Sequence, residues 1–423
     1  MRKANFGKTS SLNRDIMTQQ LMKPEQLKRT ILTLVFCCAC VSSTAFAAAL
    51  YFVTDLGTLG GLTSVANGIN NKGQVVGSAD TTNGSGHAFL YDSGHMTDLG
   101  TLGGSTSGAS AINDNGQIVG AAYSASGANH AFLYGGIGMV DLGTMGGSWS
   151  IARGINNYGQ VVGYANIGGY GHGFLYSGGI MTDLNTLTGV SCNGYAINDK
   201  AQLAGNAFPS GSHYGSAFLY SGGSLTYLGN YYGSIATAIN NKGQVVVNPN
   251  GTTSHALLYD RGRTIDLGTL WSSFSDAYGI NDSGQVVGMA YAALDTPHAF
   301  LYSGGHMSDL NNLVAPGSGL TLTYANGINA AGQIVGYGND ASGNSHAYLA
   351  TPYRTLFIDP VGPNLAISWF TNAPVALSLF QSTNLASVNW VSVANVPIVT
   401  NGQYRVLLSP SRGASQWFRL QSQ

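Results

Sequence analysis

Six histidines, His87, His130, His172, His255, His298 and His346, each open an apolar run of the type His-Ala-Phe-Leu-Tyr. In five cases an aspartate follows eleven residues later, at Asp98, Asp141, Asp183, Asp266 and Asp309. An imidazole beside a carboxylate is the pairing that general bases use, and a ring of imidazoles could hold metal. The repetition argues for something plainer. A two-residue turn at Ser93-Gly94 sets Phe89 opposite Asp98 and leaves His87 diagonal to it on one sheet face, within reach of a hydrogen bond. The fourth copy loses both partners together, with Ser216 and Tyr227 at the same separation. His346 has no aspartate downstream and would meet Asp55 from the other end of the domain. The pairs are expected to be structural, and no catalytic or metal-ligating residue is assigned to them.

Other chemistry is sparse. There is no phosphate-cradling loop with lysine, no His-Glu-x-x-His, no Gly-x-Ser-x-Gly and no cysteine pair at zinc spacing. Asp114, Asp199 and Asp282 sit in Asn-Asp-x-Gly turns, each offering one carboxylate where calcium wants six to eight oxygens. No cofactor and no metal are expected. A polysaccharide lyase with a His or Tyr base stays open as the alternative. It would need a base and an arginine to converge, and the non-repeat candidates are His95, His213, His306, Arg153, Arg261 and Arg263.

Aromatic residues gather in one class of loop. Trp149, Tyr195, Tyr231, Tyr232, Trp271 and Phe274 are expected to occupy the same inter-blade loop in four consecutive crossings. Flat rings are platforms for sugars or peptides, and clustered exposed apolar groups mark interaction sites. These six are the candidate ligand-binding residues. A neutral or uronic polysaccharide is the first expectation for the ligand, with a peptide second; packing between repeats is the competing explanation.

What must position these groups is a phrase that returns seven times. It reads Gly68-Ile69-Asn70-Asn71-Lys72-Gly73-Gln74-Val75-Val76-Gly77, and its Ile-Asn pair recurs at 112, 155, 197, 239, 280 and 328. Intervals of 41 to 48 residues mean a repeat architecture. Each unit holds four short stretches rich in β-branched and aromatic residues, bounded by Gly, Asn or Ser. The reading is an all-β, seven-bladed β-propeller over residues 48–352, four strands per blade, with a β-solenoid as runner-up. Asn70-Asn71-Lys72-Gly73 predicts a tight turn with a left-handed Gly, and the fourth unit departs from it with Ala201. The last blade lacks a fourth strand of its own, so Phe52–Leu56 should complete it. Successive strands alternate direction, which puts the Asn-x-x-Gly and Ser-Gly-Gly turns on one face. The aromatic loops share the other.

His87-Ala88-Phe89-Leu90-Tyr91 followed by Thr97-Asp98-Leu99-Gly100-Thr101-Leu102-Gly103-Gly104 resembles the HAF-repeat family of extracellular repeat proteins, over roughly residues 51–350. The strand order is similar to kelch-type blades, with the Gly-Ile-Asn strand innermost. The resemblance implies an extracellular location and a propeller-like shape; it brings no chemistry. Residues 353–423 lose the phrase and carry alternating stretches that suggest a small C-terminal β-sandwich. Phe380-Gln381-Ser382-Thr383-Asn384-Leu385 with Trp390 and Phe418-Arg419-Leu420 resembles C-terminal modules of secreted bacterial proteins, which implies attachment or sorting.

Lys28-Arg29, the apolar run 31–41 and Ala45-Phe46-Ala47 follow the pattern of a secretory signal peptide over residues 1–47. The run is shorter than the roughly 20 residues a membrane span needs. Its removal takes seven bases and two acids, leaving ten and sixteen and a net charge of about −6. Such a chain lacks the footprint of a nucleic-acid binder. Cys192 is the one cysteine after residue 47, so no intrachain disulfide is expected there. Together these readings predict a secreted, monomeric, non-catalytic protein. It would bind polysaccharide or another cell-surface component, with no membrane span in the mature chain.

Overall fold

The computed structural model describes residues 51–352 except 169, 210–213, 230–232, 252–253, 272, 294–295 and 315–316. Outside that span it describes 19–20, 357–361, 364–370, 377–382, 390–395, 397–400, 403–409 and 417–422. Apart from 19–20, the expected signal segment lies outside the described residues.

Residues 51–352 form seven four-stranded antiparallel sheets, a seven-bladed β-propeller. In blade one the strands run Gly60–Ile69, Val75–Thr81, Gly86–Asp92 and His95–Asp98, from inside to outside. The next five blades follow the same order. Blade seven takes its outer strand, Tyr51–Asp55, from the start of the domain; it pairs with Ser345–Pro352 in the register Tyr51↔Pro352 and Asp55↔Tyr348. Closure leaves the ring without an unpaired seam.

The apolar core is divided among the gaps between blades. Val76 and Ala88 of blade one, for instance, pack with Ala109, Ile112, Ile118 and Phe132 of blade two. A glycine on the second strand makes room for the phenylalanine beside it: a Cβ on Gly120 would lie 2.9 Å from the Phe132 ring and 2.0 Å from the Gly108 carbonyl oxygen. Blade five exchanges both at once, pairing Val247 with Leu257. The smaller partner ring space and the larger second-strand side chain offset each other in volume, as close packing requires.

The Ile-Asn phrase explains itself in the structure. Asn70 is 3% exposed and uses all four of its hydrogen-bonding positions. Its Oδ1 accepts from the Lys72 and Gln74 N–H groups, and its Nδ2 donates to Gln74 Oε1 and across the blade boundary to the Asn113 carbonyl. Asn113 donates likewise to Asn156, Asn156 to Asn198, Asn198 to Asn240, Asn240 to Asn281, Asn281 to Asn329, and Asn329 back to Asn70, at 2.9 to 3.1 Å. The chain of amides closes on itself. Gly73 completes each turn at φ 80°, and in blade four Ala201 is held at φ 56°, a conformation that suits glycine.

The C-terminal unit consists of two four-stranded sheets. One contains Phe357–Val361, Asn364–Phe370, Gln403–Leu408 and Ile398–Thr400; the other contains Trp417–Ser422, Leu377–Ser382, Val391–Ser392 and the segment Gln19–Gln20. Ile367, Trp369 and Val406 of the first meet Leu379 and Phe418 of the second in one buried cluster, which makes the unit a β-sandwich.

Candidate functional site

The six histidines do not converge. Each bonds through Nδ1 to its own aspartate at 2.7 to 3.0 Å, His346 reaching Asp55 across the closure. The aspartate also anchors the turn that follows, as where Asp98 accepts from the Gly100 N–H at 2.7 Å. The pair ties the third strand to the outer strand and its exit turn. In blades three and six an asparagine replaces that glycine, and Asp183 and Asp309 cap short helical turns instead.

The face carrying the Asn-x-x-Gly turns is equally committed. A cavity of about 230 Å³ on the axis is lined by Ile and Asn residues of all seven blades. Around it Asp114, Asp199 and Asp282 alternate with Asn71, Asn157 and Asn241, each carboxylate accepting neighbouring backbone and amide N–H groups. Among the described residues no group of three acidic, His or Cys side chains is placed to hold a metal ion.

The opposite face varies among the blades. A β-bulge slips the register by one residue in each inner strand, between Ala66 and Gly68 in blade one and at the matching place in the others. Three bulged residues bond the next blade: Asn67 to the Ala109 carbonyl, Thr237 to Ala277 and Asn326 to Ala66. Arg153, Tyr195 and Tyr278 occupy the same position with long side chains. Bulges re-aim side chains in this way next to binding sites.

Two aromatic groups result. In blades three and four, Tyr164 receives Trp149 edge-on at 5.7 Å and Tyr195 at 6.0 Å, and the Arg153 guanidinium lies 5.3 Å from its ring centre. Arg153 also donates to the Tyr164 hydroxyl at 2.6 Å. Burial pushes the Tyr195 phenol up, with Tyr164 adding to the rise and Arg153 opposing it. Beside blade six lies a cleft of about 590 Å³ whose walls include Ile235, Asn248, Phe274, Asp276, Tyr278 and Tyr291. Phe274 and Tyr291 sit 5.5 Å apart, and the Tyr278–Tyr324–Tyr337 stack continues from it at 6.2 and 4.7 Å. Asp276 is half-buried; burial raises its carboxyl above the ordinary range, and the Tyr278 hydroxyl, 3.5 Å away, offsets this in part. Among the described residues it is an aromatic cleft with a single carboxylate.

Of the six residues singled out in the sequence, Trp149 and Tyr195 therefore share one group and Phe274 lines the other. Trp271, 78% exposed, donates its backbone N–H to the Tyr291 carbonyl beside the cleft. Tyr231 and Tyr232 lie outside the described residues. Asp276, Tyr278, Tyr291 and Tyr164, which the sequence reading does not single out, complete the two groups. The signal was available for Asp276, which stands where the other units have Val65, Gly108, Ile151, Asn193, Ile235 and Tyr324. The lyase candidates other than Arg153 do not approach either group: His95, His306, Arg261 and Arg263 sit at outer hairpins of blades one, six and five. His213 is outside the described residues.

No family model and no curated protein matches the chain. Among solved structures it is similar to TolB from Acinetobacter baumannii, at 10% identity and a TM-score of 0.39, over 66% of this chain and 63% of that one. A Trypanosoma rangeli sialidase in complex with the inhibitor DANA is similar at 11% identity and a TM-score of 0.33, over 72% of this chain and 55% of that one. The chain thus spans less than two thirds of either. At that level neither likeness carries an argument about activity. No helix among the described residues is long and apolar enough to cross a membrane.

Proposed function

We propose that the protein is a secreted, non-catalytic binding protein of the HAF-repeat family that engages a polysaccharide through the aromatic face of its propeller. The observation that carries this reading is the exposed Trp271 beside a cleft walled by Phe274, Tyr278 and Tyr291. A cleft of about 590 Å³ with apolar walls and few polar groups is of the size and make-up that small ligands or single sugar units fill. Repeat-to-repeat variation concentrates there, while the opposite face spends its polar groups on holding the ring together. An extracellular or cell-surface location follows from the Lys28–Ala47 pattern and suits a chain whose acids exceed its bases.

A glycan array with purified protein tests the reading, run beside reducing-end and unsaturated-product assays on the same glycans. Saturable binding without product supports it. Unsaturated product would support a lyase instead, a reading that the 2.6 Å Arg153–Tyr164 contact favours and the raised Tyr195 phenol, harder to ionise as a base, opposes.

A further inference from the structure

The cleft beside blade six holds a carboxylate that no cation among the described residues answers. Asp276 makes one side-chain hydrogen bond, to the Tyr278 hydroxyl at 3.5 Å, long for an O–H···O contact. Among the described residues its carboxylate forms no ion pair. The propeller's fixed cations are placed elsewhere. Lys72, Lys200 and Lys242 belong to the Asn-x-x-Gly turns, Arg261 and Arg263 to an outer hairpin, and Arg153 is occupied by Tyr164. Two other polar side chains of the cleft are engaged by the backbone. Asn248 accepts from the Ala277 N–H and donates to the Ala277 carbonyl, and Thr237 donates to that carbonyl too.

The repeat supplies its own control. At the position of Asp276 three other blades carry Val65, Ile151 and Ile235, so the fold does not need a carboxylate there. A half-buried, weakly bonded acid carries a desolvation cost that a ligand could recover. Phe274, Tyr278 and Tyr291 surround it with rings whose faces attract cations and stack on sugars. A uronic acid would bring like charge to this carboxylate. A neutral sugar would bury it without a counter-charge. A protonated amino sugar offers both a ring face to stack and an ammonium to pair.

We infer that the cleft binds a protonated amino sugar of a polysaccharide, with the ammonium on Asp276 and the ring face against Phe274 and Tyr291. This rests on the polysaccharide reading above and narrows it, replacing a neutral or uronic ligand at this cleft with a cationic one.

The test is titration calorimetry of the full chain with β-1,4-linked glucosamine oligomers, their N-acetylated counterparts and glucose oligomers of the same length. The buffer keeps the amine charged and the carboxylate ionised. The glucosamine oligomer should bind at least about tenfold more tightly than either control, a difference of about 1.4 kcal/mol. Asp276→Asn should erase that preference and leave the weaker stacking affinity. Equal binding of amino and acetylated oligomers, or a preference that survives Asp276→Asn, overturns the amine assignment and leaves the polysaccharide reading standing. A linear polyamine of equal charge that binds as tightly also overturns it, reducing the effect to general electrostatics. Failure of every saccharide overturns both readings together. The wild-type comparison decides the matter even if the variant does not fold.

Discussion

The two faces of the propeller are built from the same repeat and have opposite economies of polar groups. On the turn face every blade repeats the same asparagine, and its donors and acceptors are all satisfied by the protein itself. On the other face the matching positions run from Gly108 to Tyr324, and one of them, Asp276, is left under-bonded. Identity across seven copies marks what the ring needs in order to close. Departure from identity marks what the ring can do without, and there a ligand can be accommodated.

Variants on the two faces should therefore separate stability from binding. The largest effect is expected at Asn156. Asn156→Asp keeps the acceptor of two N–H groups but sets a carboxylate oxygen in place of the donors, facing the Gln160 side-chain oxygen and the Asn198 carbonyl, the latter keeping only its bond from the Ala201 N–H. A loss of about 3 kcal/mol is expected from two lost hydrogen bonds and a carboxylate set against two acceptors, read as a lower denaturation midpoint. Glycan affinity of the folded fraction should not change.

Trp271→Ala should do the reverse. Its exposed side chain leaves the melting temperature untouched, while saccharide binding weakens by about 1 to 3 kcal/mol, the worth of burying a large side chain. A lower melting temperature with intact binding would dissolve the distinction between the faces.

Smaller again is Asp141→Ala. It removes the 2.7 Å bond to His130 and the anchor of Gly143 in a half-exposed setting, so about 1 kcal/mol of stability is expected to go, with binding retained. Loss of binding from several such single changes, with melting unaltered, would move the histidines into the functional site.

The smallest effect has the opposite sign. Burial raises the Asp276 carboxyl above its ordinary value, so the folded protein binds that proton more readily than the unfolded chain does. Stability then declines as pH climbs from the ordinary carboxylate value through the raised one. Asp276→Asn should flatten that part of the stability–pH profile and gain about 0.5 kcal/mol at neutral pH, the usual scale of relieving a strained functional group.

Most of the ring was legible in the sequence because its signals are local and multiplied by seven. Asn70 and Gly73 announce a turn; the spacing of His87 and Asp98 announces a hairpin; the missing outer strand after His346 announces closure by residues near Phe52. The cleft was not legible for a physical reason. The bulge that re-aims Tyr278 and Arg153 is a one-residue slip in strand pairing, and nothing in the strand's composition reveals it. Asp276 was hidden by company, since most other aspartates serve repeated turns or His–Asp pairs. Its isolation appears only when the Ile235 and Tyr324 positions are laid beside it.

The seam at Tyr51–Asp55 has a mechanical consequence. Because Tyr51 pairs with Pro352 and the strands are antiparallel, the chain enters and leaves the ring at the same end of one ladder. Force drawn between residues 51 and 352 loads that ladder as a zipper: each rung carries the load alone and yields before the next, from Tyr51↔Pro352 toward Asp55↔Tyr348. The ring that seven asparagine amides hold closed thus presents its weakest direction to a pull on its own two ends.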